Sequence, residues 1–228
     1  ALLWDASASG ARRDHAREFA LLDAWFRHLG TVQVRLVAVR NTAEAVETHE
    51  VRGGDWSALR RRLETIPYDG ATSLQAMQPP ADAELALLFS DGMGNWGAGA
   101  LATPAMPLVA FSSSVGAAPR TLRYAAEASG GAYVDLLDAG TAQALRALTH
   151  ERVRIAALRA EGARELELGS VHPQDGRIAV AGILTQPRAR LLLDLTAPDG
   201  TRQSRAVTLD ADGPAAAPAI AVAAHRWA

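Results

Sequence analysis

Three short segments of this chain carry side chains that together suit one kind of chemistry, the holding of a hard divalent cation. Asp5-Ala6-Ser7-Ala8-Ser9 sets one carboxylate and two hydroxyls at alternate positions, so a loop curling round a point presents all three to it. Asp69-Gly70-Ala71-Thr72-Ser73 is a turn that offers the Thr72 hydroxyl, and Ser90-Asp91-Gly92 adds a second carboxylate. The donor set Asp5, Ser7, Ser9, Thr72 and Asp91 is all oxygen, which suits Mg²⁺, with Mn²⁺ or Ca²⁺ as the other candidates, rather than zinc or copper. Two carboxylates neutralise a divalent ion and leave part of its octahedron to water, a position that an incoming carboxylate can take. Each segment alone reads as an ordinary polar turn; the conjunction carries the expectation.

The elements that must position these residues alternate between strand and helix. Ala1 to Trp4 is a short apolar run, and Phe19, Leu22, Phe26 and Leu29 recur at helical spacing between Asp14 and Gly30. Thr31 to Val39 and Ala45 to Val51 read as strands, and Asp55 caps a helix carrying Trp56, Leu59 and Leu63 that Pro67 stops. Glu84 to Phe89 and Met106 to Phe111 are apolar runs suited to buried parallel strands. Arg120 to Ser129 reads as a helix, Ala132 to Leu137 as a strand and Thr141 to Arg159 as a last helix. This alternation predicts an α/β domain over residues 1–160, a doubly wound, mostly parallel sheet flanked by helices. Asp5 and Asp91 then fall at the carboxyl ends of strands, where such sheets present loops to ligands.

From Glu165 onward the pattern changes to strands separated by turns. Pro173-Gln174-Asp175-Gly176, Gln186-Pro187, Pro198-Asp199-Gly200 and Asp212-Gly213-Pro214 are the turn signals. They predict a small antiparallel β unit over residues 164–228, joined to the first near Ala160 to Ala163.

Composition narrows the function. The 228 residues are 49% hydrophobic and 21% charged, ordinary for a folded chain. A formal net charge of -2 gives no electrostatic reason to expect nucleic acid or an anionic membrane as partner, and no window is apolar enough to insert in a bilayer. With no cysteine, disulfides, thiolate catalysis and zinc-cysteine sites are excluded. The absence of lysine removes the P-loop lysine, Schiff-base chemistry and lysine general bases. Abundant Ala and Arg without Lys fits the codon bias of a GC-rich bacterial genome. Because Ala1-Leu2-Leu3-Trp4 already reads as a strand, the chain is expected to be a piece of a longer polypeptide.

Asp5-x-Ser7-x-Ser9, Gly70-x-Thr72 and Ser90-Asp91-Gly92, in this order, resemble the metal-ion-dependent adhesion site of von Willebrand factor type A domains. The order of strands and helices to about Arg159 is similar too, including Gly130-Gly131 before the last strand. The resemblance implies that Ser7, Ser9 and Thr72 ligate through hydroxyls, and that Asp5 and Asp91 act directly or through water. A β-rich segment ending in Trp227-Ala228 is similar to bacterial relatives of inter-alpha-trypsin inhibitor heavy chains, in which a VIT domain precedes the A domain. That implies a multidomain parent protein, secreted, periplasmic or held at the cell surface. Two departures stand out: Gly10 where many members have methionine, and Ala71 where glycine is frequent.

The expected function is therefore adhesion-type binding, a Mg²⁺ ion coordinating an acidic residue of a protein partner, without catalysis. The rival readings are a Mg²⁺-dependent phosphohydrolase using Asp5 as nucleophile, and a structural module of a larger protein. The first wants a second acid two residues on, where Ser7 stands. Around the site, Trp4, Asn95 and Trp96 are expected near the same edge, Arg12 and Arg13 read as solvated charges at a helix start, and Ser112-Ser113-Ser114 reads as a polar turn. No two of His15, His28, His49, His150, His172 and His225 have the i, i+4 spacing of a zinc pair, and none is given a ligand role.

Overall fold

A computed structural model describes residues 1–149, 154–168, 178–196 and 201–211. The chain divides into two compact units, Ala1–His150 and Glu151–Ala228. The first is built on six strands, β1 (Leu2–Asp5), β2 (Val32–Val39), β3 (Glu47–Val51), β4 (Ala86–Phe89), β5 (Leu108–Ser112) and β6 (Ala132–Asp135), in the order β3-β2-β1-β4-β5-β6. All neighbours are parallel except β2 and β3, whose antiparallel pairing puts the half-exposed, Glu-bearing β3 at one edge. The sheet is thus mixed but mostly parallel, and α/β in class, as the alternating pattern predicts.

Period-two alternation along buried strands supplies a core on both faces. Leu2, Trp4, Leu36, Leu87, Phe89 and Phe111 face α1 (His15–Leu29) and α2 (Ser57–Glu64), which contribute Leu21, Leu22, Trp25, Phe26, Leu59 and Leu63. Leu3, Val37, Leu88, Leu108 and Ala110 pack on the other face with Leu122, Ala125 and Ala126 of α3 (Pro119–Ala128). Trp4, Phe89 and Phe111 are each fully buried. Asp14 caps α1 by accepting the Arg17 N–H at 3.1 Å, while Asp55 stands one residue before the N-cap of α2 and accepts from the Ser57 N–H at 3.0 Å.

One element differs from expectation. The helix expected from Thr141 to Arg159 ends as α4 (Thr141–Thr149), and Arg154–Glu161 forms a strand, β7. Alanine-rich sequence there favours a helix locally, but β7 pairs antiparallel with β10 (Arg188–Thr196), Leu158 opposite Leu193 and Ile155 opposite Leu195, and this distant pairing prevails. Gly162, with φ +79°, turns the chain from β7 into β8 (Ala163–Leu168), so the joint expected at Ala160 to Ala163 is a turn inside the second unit.

That unit holds the sheets β11-β10-β7 and β8-β9, with β9 at Val180–Leu184 and β11 at Arg202–Asp210. All their pairings are antiparallel. Ala189, Leu191 and Leu193 alternate as the buried face of β10. The turns expected at Pro173 to Gly176, Pro198 to Gly200 and Asp212 to Pro214, the histidines His150, His172 and His225, and the Trp227-Ala228 pair lie outside the described residues. No helix among the described residues is long and apolar enough to cross a membrane.

Candidate metal centre

Strand order reverses at β1, with β2 on one side and β4 on the other, and open α/β sheets offer their ligand crevice at the carboxyl end of that point. The register pairs Trp4 with Phe89, so one residue further Asp5 stands beside Ser90. The Ser90 hydroxyl donates to Asp5 Oδ2 at 2.6 Å, and the Ser7 N–H donates to Asp5 Oδ1 at 3.0 Å. Asp5 is fully buried, and both its carboxylate oxygens are engaged in holding the loop that follows it.

The hydroxyls come together beyond that loop. Ser7 Oγ lies 3.1 Å from Ser9 Oγ and accepts the Thr72 hydroxyl at 2.8 Å, so three oxygens from two segments form one contiguous group. Backbone bonds fix the two segments against each other: Ala8 N–H to Gly70 O at 3.2 Å and Asp69 N–H to Ala6 O at 3.2 Å. Thr72 is gripped from its other side by Asn95, whose Oδ1 accepts the Thr72 N–H at 2.7 Å while Thr72 O accepts from Asn95 and Trp96 N–H. Asn95 is thus a positioning residue on this edge, whereas the Trp96 side chain projects into solvent at 54% exposure and Trp4 is a core residue.

Asp91 is buried one residue past Ser90, and its Oδ1 accepts the Met93 N–H at 2.9 Å. No hydrogen bond among the described residues ties it to the three hydroxyls; it shares their edge and lines a pocket there with Arg12, Met93 and Val115. Gly92 makes the turn that follows: its φ is +72°, and a Cβ would come 2.8 Å from Leu122 Cγ. Among the described residues no three His, Asp or Glu side chains form a metal-holding group. Whatever holding capacity this edge has therefore rests on hydroxyls as much as on acids. The five residues expected to share the site fit a hard cation on these grounds: oxygen donors only, hydroxyls already within hydrogen-bonding distance, and two carboxylates at adjacent strand ends.

Two readings of the neighbouring residues need correction. Arg13 is not a solvated charge: it is 4% exposed, and its guanidinium donates to Asp5 O at 2.7 Å, to Phe89 O at 2.9 Å and to Glu18 Oε1 at 2.9 Å. One side chain therefore ties the end of β1 to the end of β4, directly behind the two carboxylates. Nor is Ser113 part of a solvated turn. Buried at 2% exposure, it donates to Glu18 Oε1 at 2.7 Å and accepts the Asp14 N–H on its carbonyl. The His15 ring nitrogen Nδ1 completes the shell of Glu18 at 2.9 Å, and the His15 ring packs between Trp4 and Tyr68.

Burial alone would push the Glu18 carboxyl up; the charge of Arg13 and the hydrogen bonds from His15 and Ser113 outweigh it and hold Glu18 below its ordinary range. The departure at Gly10 has a local cause. A Cβ there would meet Asp5 O at 2.6 Å and the Tyr68 ring at 3.2 Å, and Tyr68 fills this space because its hydroxyl accepts the Trp4 indole N–H at 2.8 Å.

No protein-family model matches the chain, and no curated protein matches it significantly in sequence.

Proposed function

We propose that the chain is a divalent-metal-dependent binding module in which Asp5, Ser7, Ser9, Thr72 and Asp91 hold Mg²⁺, and Mn²⁺ or Ca²⁺ in its place, to take a carboxylate from a protein partner. The observation that carries this reading is the spacing of the hydroxyls, 3.1 Å from Ser7 to Ser9 and 2.8 Å from Ser7 to Thr72. Oxygens at neighbouring corners of an octahedron with metal bonds of about 2.1 Å are about 3.0 Å apart. Ser7 thus has two hydroxyl neighbours, joined to it by hydrogen bonds, at about the separation that octahedral coordination requires. When bound, the ion supplies a hard positive centre with positions open to an incoming carboxylate.

Asp5 favours a holding role over a nucleophilic one. Its carboxylate is fully buried, and each of its oxygens already accepts a hydrogen bond. A nucleophile for phosphoryl transfer needs an oxygen presented to the phosphorus in line with the leaving group. The finer assignment, a von Willebrand factor type A domain with an adhesion site, is proposed on the motif order Asp5-x-Ser7-x-Ser9, Thr72, Asp91 and on its agreement with a site at the carboxyl edge of β1 and β4.

Calorimetric titration of the full chain with Mg²⁺ and Mn²⁺ tests the reading. One ion bound per chain is expected, lost in Ser7→Ala and Asp91→Asn. The peptide acetyl-Gly-Gly-Glu-Gly-Gly-amide is expected to bind only with metal present; binding of equal strength in excess EDTA sinks the proposal.

A further inference from the structure

The pocket beside Asp91 makes a second demand on an acidic partner. It holds about 350 Å³ and is lined by Arg12, Asp91, Met93, Val115 and Leu137 among others. That lies at the low end of the roughly 300–1,000 Å³ of ligand-holding pockets, room for a side chain and its backbone. Apolar surface gathers round it: Met93 is 52% exposed and Val115 94%, with Trp96 at 54% in the same loop as Met93. Single exposed apolar residues are normal, but three on the loops after β4 and β5, flanking a candidate metal ligand, mark an interaction surface. The lining carries Arg12 against Asp14 and Asp91, so its balance turns positive only with the proposed ion held by Asp5 and Asp91. Asp14 is offset by Arg17 at 3.1 Å, while Arg12 meets no carboxylate among the described residues.

We infer that this pocket receives an aliphatic side chain adjacent in sequence to the carboxylate that reaches the metal. The partner is then an extended, acidic protein segment in which a Glu or Asp is followed by a Leu-, Ile- or Met-type residue, with a further acid set against Arg12. A free small acid does not fit as well, because a molecule confined to the pocket leaves the exposed Trp96, outside the pocket lining, uncovered. The inference rests on the proposed role of Asp91 as a metal holder, and it adds what the metal alone cannot supply, a preference among acidic segments. Metal-carboxylate contact is the same for every acid; a neighbouring apolar pocket separates one sequence from another.

The test compares two peptides, acetyl-Gly-Gly-Glu-Gly-Gly-amide and acetyl-Gly-Gly-Glu-Leu-Gly-amide, by NMR titration of the full chain with Mg²⁺ bound. The leucine peptide is expected to bind about tenfold more tightly, the gain from partly burying one aliphatic side chain. In the double variant Met93→Ser, Val115→Ser that ratio is expected to fall towards one, while its retained Mg²⁺ titration reports an intact site. Equal affinities for the two peptides with Mg²⁺ bound overturn the pocket and leave the metal reading standing. A tenfold ratio that persists in the double variant also overturns it. No Mg²⁺ binding by calorimetry overturns both readings together.

Discussion

Replacing Glu18 by Gln removes one charge from behind the candidate metal centre while keeping the size of the side chain. Glu18 and Arg13 both have side chains fully shielded from solvent, with N and O 2.9 Å apart. Arginine does not give up its proton in a protein, so Glu18→Gln leaves a buried, uncompensated guanidinium. Breaking one partner of a buried ion pair costs about 3–5 kcal/mol. With a urea slope of about 1–3 kcal/mol per molar, the midpoint should fall by about 1–5 M. Intrinsic fluorescence follows this transition in the first unit, because Trp4, Trp25, Trp56 and Trp96 all lie there. EDTA in the buffer keeps metal binding out of the comparison. Mg²⁺ affinity should fall as well. A loss of about 1.4 kcal/mol in the attraction between the Glu18 carboxylate and the ion is a tenfold loss in affinity. The companion variant Arg13→Met, Glu18→Met removes both charges and should cost less than Glu18→Gln alone, although the Asp5 and Phe89 carbonyls lose a donor. A midpoint in Glu18→Gln within about 0.3 M of the wild type, well under the fall worked from that slope, refutes the reasoning. So does a double variant that loses as much stability as Glu18→Gln or more.

Thr72→Ala removes one hydroxyl of three; the Mg²⁺ dissociation constant should rise at least tenfold by calorimetry, with stability changed by no more than about 1 kcal/mol, since the one hydrogen bond its hydroxyl donates runs between neutral groups. Gly92→Ala should lower stability by more than about 1 kcal/mol in thermal melts, because φ is +72° and the new methyl meets Leu122 and the Ala118 carbonyl. Stability should also depend on pH through Glu18. Burial raises its pKa, but Arg13, His15 and Ser113 more than reverse this, so the folded value lies below the ordinary 4.5. The stabilisation is then complete above about pH 5 and drains away as pH falls through 4.5 and on to the folded value. Urea titrations from pH 7 to pH 3 should show the gap between wild type and Glu18→Gln narrowing only at the acid end.

Two of the donor segments were legible because a parallel α/β sheet leaves its strands at one edge, so an acid just after an apolar run has a predictable address, while Asp69 to Ser73, which follows α2, was legible from its turn residues. The two apolar faces followed from alternation in Leu2-Leu3-Trp4 and Ala86-Leu87-Leu88-Phe89. Arg13 was not legible. Arg12 and Arg13 are neighbours of the same type, and only the closing of the loop onto α1 sends one into the interior and leaves the other in solvent. A signal did exist in its partner: Glu18 precedes Leu21 and Leu22 by three and four residues, on the buried stripe of α1, where an acid requires a counter-charge. The strand at Arg154–Glu161 was hidden for a different reason. Its pairing with Arg188–Thr196 is a long-range choice that local alanine content opposes.

The buried pair also resolves an apparent conflict at the site. A cation beside the proposed metal site should oppose binding, yet Arg13 is the group that ties the ends of β1 and β4 together. A neutral donor with fewer N–H groups could not reach Asp5 O, Phe89 O and Glu18 at once, whereas the guanidinium fork can. Glu18 offsets the electrostatic cost, since its carboxylate lies 2.9 Å from the Arg13 guanidinium. The charge of Arg13, with the hydrogen bonds from His15 and Ser113, lowers the Glu18 pKa despite burial. The same arrangement favours the acidic partner proposed for this site. If two carboxylates balance the proposed ion and the Arg13–Glu18 pair adds no net charge, Arg12, which meets no carboxylate among the described residues, would leave the face with a positive balance that a carboxylate-bearing segment offsets.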